Sequence, residues 1–238
     1  MVDESILRKT IGLADACELL ACATAFPDEA LADGLSDGRL AADACSCLED
    51  CGIAADRVSA VCEPWEKLAG EDRSGLRTDL RRVHSLLFMR QGDGVAVWPY
   101  ESAYLHAQVG KEGEPVLFRS SVTLAVEQAM RDAGVLPADS ATEPSDSVWN
   151  EFAFLSYLLG CEAEALDAGD ADALALARSR SESFVVEHAC RWLSGFFGSV
   201  ESKLSAAADP ESIAGCFYRG LSFYGACVID ELSLRLSE

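Results

Sequence analysis

The chain has 238 residues, half of them hydrophobic, with 40 acidic against 19 basic side chains and a formal charge of −21. A chain of this length buries roughly 70–75% of its unfolded surface, so it needs no disulfide or metal to hold a core. The charge excludes nucleic acid as a partner, because phosphate binding needs a basic surface, disfavours anionic membranes, and favours encounter with a cationic or arginine-bearing protein.

No apolar run approaches the length of a membrane span. The start, Met1-Val2-Asp3-Glu4-Ser5, is acidic and lacks the basic-then-apolar layout of a secretory signal, so a cytoplasmic location is expected. The first helix is predicted from about Asp3 to Ala25, where Ile6, Thr10, Leu13, Cys17, Leu20 and Thr24 alternate spacings of four and three along one stripe. Pro27 interrupts it, a short helix follows from Asp28 to Leu35, and Gly34 and Gly38 punctuate the next stretch. Leu40, Ala44, Cys47 and Cys51 mark a helix stopped by Gly52. Ala55, Val58, Cys62 and Trp65 mark another, which Pro64 is expected to kink or divide. The ten cysteines contain no paired CxxC: Cys45, Cys47 and Cys51 lie in a helical pattern without a nearby histidine, and read as structural thiols rather than a metal site.

A strong helix candidate spans Asp72 to Arg90, with Leu76, Leu80, Val83 and Leu87 as its core face. Arg77, Arg81 and Arg82 lie mostly opposite, as a solvated face or as partners for acids. A glycine-containing loop, Gln91 to Ala96, leads into Trp98-Pro99-Tyr100-Glu101-Ser102-Ala103-Tyr104-Leu105. Pro99 suits the first turn of a helix, which would put Glu101 near the positive end of the helix dipole and Tyr100 and Tyr104 on one face. A polar loop from Gly110 to Pro115 and a helix from about Ser120 to Ala133 follow, the latter ended by Gly134. Leu136 to Asp146 has no periodicity and is the natural linker.

Asp146 or Ser147 then caps a helix carrying Val148, Phe152, Leu155 and Leu159 and broken by Gly169. Helices from Leu174 to Glu187 and from His188 to Leu204 carry Trp192, Phe196 and Phe197 as bulky core residues. Asp209-Pro210 has the layout of a new helix start, and Phe217, Leu221, Tyr224 and Val228 carry the last helix toward Leu236. With no alternating strand pattern, the expected fold is all-α: a bundle of about ten helices in two subdomains, residues 1–136 and 148–238, joined by a hinge at 137–147.

Pro99-Tyr100-Glu101-Ser102-Ala103-Tyr104-Leu105 resembles the PYESVYL signature of the TorD/DmsD family of cytoplasmic chaperones. Glu143-Pro144-Ser145-Asp146-Ser147 is similar to that family's EPxDH hinge, and Glu151-Phe152-Ala153-Phe154-Leu155 to its ELxFM segment. The three motifs come in the family's order in a chain of the family's length. Phe184 to Trp192 also resembles a family helix that carries His and Trp. Two departures stand out: Ser147 occupies the histidine position of the hinge, and Val83-His84-Ser85 replaces an aromatic-Thr-Arg sequence. Serine can cap a helix but cannot titrate near neutrality, which points to a divergent subfamily with its own client.

The resemblance implies a TorD-like bundle and a chaperone for a molybdopterin oxidoreductase. The chaperone would bind the catalytic subunit's twin-arginine leader and its apo form, assist cofactor insertion and hold back export. The candidate peptide-binding residues are Trp98, Pro99, Tyr100, Glu101, Ser102, Tyr104, Glu143, Pro144, Asp146, Ser147, Glu151 and Phe154. For Glu101 and Asp146 two roles stand side by side: helix capping, or a charge-assisted contact with an arginine of the bound peptide. Tyr100, Tyr104 and Trp98 would supply apolar contact. No phosphate loop, nucleophile elbow or zinc-protease motif is present. No catalytic residue, cofactor or metal is therefore expected, and His188, amid apolar neighbours, reads as a packed or hydrogen-bonded histidine rather than a ligand. The linker also permits domain exchange into a homodimer. The alternative function is an acidic helical interaction or regulatory module that sequesters a different basic protein.

Overall fold

The computed structural model describes residues 4–89, 94–110, 112–138 and 141–236. Asp3, Arg90, Gln91 to Asp93, Lys111 and the linker positions Asp139 and Ser140 lie outside the described residues, so the sequence expectations that include them are followed only on either side. The described chain is all-helical. Its first seven helices are α1 (Glu4–Thr24), α2 (Glu29–Ser36), α3 (Arg39–Asp50), α4 (Ala55–Glu66), α5 (Arg73–Phe88), α6 (Glu101–Gln108) and α7 (Ser121–Asp132). After the linker come α8 (Val148–Ala168), α9 (Ala171–Phe184), a π-helical turn (Val185–Ala189), α10 (Cys190–Ala207) and α11 (Ile213–Arg235).

Capping side chains set most helix starts. Asp28 accepts from the Leu31 amide at α2, Asp72 from Gly75 at α5, Ser120 from Thr123 at α7 and Ser147 from Asn150 at α8. Each satisfies an amide that the helix itself leaves without a partner. Three local expectations are corrected. Pro64 does not divide α4; it sits in the last turn, where only one backbone bond is forfeited before the helix ends at Glu66. The last helix begins at Ile213 rather than at Asp209-Pro210, because Ser212 provides the cap through the Gly215 amide while the Asp209 carbonyl accepts from Ser212. The helix boundary expected between Glu187 and His188 falls inside a π turn, Val185–Ala189, α9 having ended at Phe184.

The buried side chains form one cluster reaching from Leu13 to Leu232 and drawing on both sides of the linker. α1 packs chiefly against α8 and also against α3, α9 packs on α8, and α11 is shared between α10, α4, α5 and α1. The predicted stripe of α1 is buried from Thr10 to Thr24, while Ile6 at its start is exposed. In α11 close packing depends on glycine. A Cβ at Gly220 would lie 2.6 Å from the Trp65 indole, and one at Gly225 would lie 2.2 Å from the Phe197 ring. Trp65 completes its contact by donating its indole hydrogen to the Phe217 carbonyl at 2.9 Å, and Tyr218 donates to the Leu80 carbonyl at 3.0 Å. These bonds offset the cost of taking the polar tips of Trp65 and Tyr218 out of water.

All ten cysteines are free thiols, with Cys17, Cys47, Cys51, Cys62, Cys216 and Cys227 buried. Burial is the first cause that pushes the Cys47 and Cys51 thiols up, to about 11 and about 12, so they behave as small apolar groups. Among the described residues no group of three or more His, Cys, Asp or Glu side chains is arranged to hold a metal ion. No single helix among them is long and apolar enough to cross a membrane.

Candidate functional site

The two motif segments meet where α6 and α8 begin. Tyr100 and Ser147 form an isolated antiparallel bridge. Around it the Glu101 amide donates to the Asp146 carbonyl at 2.9 Å, and the Val148 amide donates to the Pro99 carbonyl at 2.9 Å. Two helix N-termini are thus laced together through their preceding residues. The Asp146 carboxylate adds a cap from outside its own helix, Oδ2 accepting from the Ser102 amide at 2.9 Å. The Pro144 carbonyl ties the segment before α8 to that helix by accepting from the Asn150 side chain at 3.2 Å.

This arrangement corrects two expectations. Pro99 is not in the first turn of a helix; it precedes the extended N-cap Tyr100 (φ −128°, ψ 131°), and α6 starts at Glu101. Tyr100 and Tyr104 therefore do not share a face. Tyr100 lies edge-on to Trp149 with ring centroids 5.8 Å apart, whereas Tyr104 packs beside Trp192 and its hydroxyl meets Ser199 and the Gln108 amide. The reason is the bridge: once Pro99 and Tyr100 run alongside Ser147, their backbone is extended and cannot also be helical.

The carboxylates of the corner are sealed. Glu101, Asp146, Ser147 and Glu151 are each 0% exposed, and Ser102 and Pro144 are buried too. Glu101 Oε2 lies 2.7 Å from His188 Nδ1, which carries the hydrogen of this bond when Glu101 is ionised, and Arg191 Nη1 stands 3.8 Å from Glu101 Oε1. Glu151 Oε2 accepts the Trp192 indole hydrogen at 2.9 Å. Burial, then the neighbouring charge of Glu101, holds the Glu151 carboxyl well above the usual glutamate range. Two ionised carboxylates are both acceptors, which leaves Glu101 Oε1 and Glu151 Oε1 without a hydrogen-bond donor, Arg191 standing at ion-pair distance only. A proton on Glu151 turns one of them into a donor and lets the pair share it. The sequence assigned Glu101 either a cap or an incoming arginine. In this structure its partners are His188 and Arg191 of the same chain, and it sits in the first turn of α6.

The π turn decides that pairing. It begins directly after Phe184 and ends at Ala189, with His188 buried within it and Trp192 one turn on. The wider turn shifts the register of the rod, so that His188, Arg191 and Trp192 all address the α6–α8 corner. Arg191 was not among the residues singled out from the sequence. The signal for it was the spacing of His188 and Trp192 on one helix face, with Arg191 between them.

The half-buried members of the site are Trp98, Tyr100 and Glu143. Burial and the nearby Glu143 push the Tyr100 phenol up. Phe154 is not at the corner; it lies further along α8, 4% exposed, edge-on to Phe184 at 4.8 Å and stacked on Tyr157. It forms part of the floor of two surface hollows, a cavity of about 340 Å³ that reaches His188 and an apolar one of about 160 Å³ beside the linker.

A family model described as the nitrate reductase delta subunit matches residues 54–198, more than half of the chain. The matched span includes both corner segments, the π turn and Trp192. No curated protein matches the chain.

Proposed function

As a member of the nitrate reductase delta subunit family, a TorD-type family of redox-enzyme maturation chaperones to which this chain belongs, the protein serves molybdoenzyme maturation, and we propose that it does so by gripping the leader of a catalytic subunit. The client would be the catalytic subunit of a molybdopterin oxidoreductase of nitrate reductase type. The chaperone would hold that subunit's apo form in the cytoplasm by its twin-arginine leader until the cofactor is inserted, and delay export meanwhile. The role is binding, with no bond chemistry of its own.

The observation that carries the reading is the lacing of the two motif segments by the Tyr100–Ser147 bridge in a chain of this family. The buried acids shape the corner and hold it rigid. The half-buried Trp98 and Tyr100, with Glu143 beside the Tyr100 phenol, form an aromatic and acidic surface suited to an apolar, arginine-bearing peptide. The overall charge of −21 speeds its encounter with a basic leader. The linker at 137–147 is the proposed hinge, and lobe exchange through it the proposed route to a homodimer, which sedimentation velocity would detect.

Calorimetric titration with a synthetic twin-arginine leader from a nitrate-reductase-type subunit tests the reading. Saturable binding is expected, weakened by Trp98→Ala with the helical circular dichroism retained. Folded protein that binds no such leader would refute it.

A further inference from the structure

A cavity of about 280 Å³ opens where α1, α8, α9 and α11 converge, and none of the corner residues lines it. Its floor is apolar: Leu155, Leu159, Val185 and Leu232 are each at most 4% exposed. Its charged groups run against the rest of the chain. The wall carries Lys9, Arg178 and Arg235 against the single acid Glu182, whereas the whole sequence has 40 acids to 19 bases. Lys9 adds charge while keeping an interaction of its own.

One carboxylate stands behind the two arginines. Glu162, fully enclosed and outside the lining, accepts from Arg178 Nε at 3.1 Å and from Arg235 Nη2 at 2.6 Å, both through Oε1. A single negative charge thus answers two guanidiniums and holds them in place, and Arg235 Nη1 has no acceptor. Thr10 supplies an independent sign. It lines the cavity, is 2% exposed, and its hydroxyl makes no hydrogen bond among the described residues. Ser181, in the same wall, spends its hydroxyl on the Arg178 carbonyl. A buried hydroxyl without a partner is costly, and an acceptor seated in the cavity removes that cost.

We propose that this cavity binds a small amphiphilic carboxylate. Its head meets Arg178, Arg235 and the Thr10 hydroxyl through charge-assisted hydrogen bonds, and its apolar body lies on the floor of leucines and Val185. A cavity of about 150 Å³ takes one benzene ring, so the body has the size of a bicyclic ring or a short acyl chain. Thr10, Leu232 and Arg235 fall outside the span that matches the family model, residues 54–198. The site is therefore separate from the family's role and from the leader-binding reading.

Calorimetric titration of the full-length protein with octanoate tests the proposal, with octan-1-ol, octylamine and acetate as comparisons. We expect saturable octanoate binding, octanol weaker by roughly 10-fold or more, and no saturation by octylamine or acetate. Thr10→Val removes a hydroxyl that has no partner, so the urea midpoint should hold or rise. Octanoate should bind this variant roughly 10-fold more weakly, with octanol unaffected. Arg178→Gln changes a side chain that is 42% exposed and leaves Arg235 on Glu162; it should weaken octanoate alone in the same way, and it carries the test should Thr10→Val not fold. No octanoate binding by the wild type, octanol or octylamine binding as tightly as octanoate, or wild-type octanoate affinity in the folded variants would overturn the proposal. So would a synthetic peptide with an apolar C-terminal residue that binds more tightly than octanoate and is lost on amidation, because the occupant would then be a protein terminus.

Discussion

Glu151→Gln isolates the buried carboxyl at the centre of the corner. Glu151 is fully enclosed, and its carboxyl is held above its ordinary value of 4.5 by burial and by Glu101. The folded state therefore keeps a proton that the unfolded chain releases. Between the ordinary value and the raised one, the native state binds more protons than the unfolded state, so stability falls as pH rises. The slope is about 1.4 kcal/mol per pH unit for one proton. Below the ordinary glutamate range the group is neutral in both states and the contribution is fully present. Glutamine is the neutral isostere: its carbonyl still accepts from the Trp192 indole, and its amide donates toward Glu101 as the protonated acid does. The variant should match wild type at the acidic end and gain on it steadily with pH. Urea unfolding of both proteins, followed by circular dichroism between about pH 5 and pH 8, reads the difference. Titrating groups away from the Glu101–His188 pair, including the self-repulsion of the acidic chain, are common to the two proteins and cancel. Parallel curves across the range, or a variant that loses ground as pH rises, would refute the assignment of a proton to Glu151.

Asp146→Ala removes the acceptor for the Ser102 amide and should cost about 1–2 kcal/mol in urea unfolding, whereas Asp146→Asn keeps an acceptor oxygen and should cost less than half of that; equal losses would deny the cap. His84, buried among Phe26 and Phe88, has its pKa lowered from 6.5 to about 4, first by burial and only partly offset by the Thr24 backbone. The unfolded chain binds its proton first, so the stability His84 contributes is lost as pH falls from 6.5 toward about 4, and His84→Phe should show a shallower loss on acidification than wild type. Gly225→Ala drives a methyl to 2.2 Å from the enclosed Phe197 ring and should lower stability by about 1–3 kcal/mol, visible as a drop of several degrees in Tm.

The sequence by itself determined the helical class, most of the helix starts and the motif segments. These are local properties. Apolar spacing of three and four marks a buried stripe wherever it occurs, and Asp28, Asp72, Ser120 and Ser147 cap because their side chains reach amides three residues away. Where a second local signal competed, the first reading slipped: Asp209-Pro210 looked like a helix start, but Ser212 outbid it with a better-placed hydroxyl.

Tertiary structure decided what the corner acids do. Glu101 and His188 are 87 positions apart and Glu151 and Trp192 are 41 apart, and no periodicity links them. Their pairing follows from the π turn, a register shift of the rod that no motif in its sequence announces. The same holds for Tyr100, helical by its local neighbours yet extended because Ser147 lies beside it. A carboxylate's role depends on whether water or another buried group surrounds it. That is fixed by distant segments closing over it, so one short sequence can serve as a solvated binding group in one packing and as an internal brace in another.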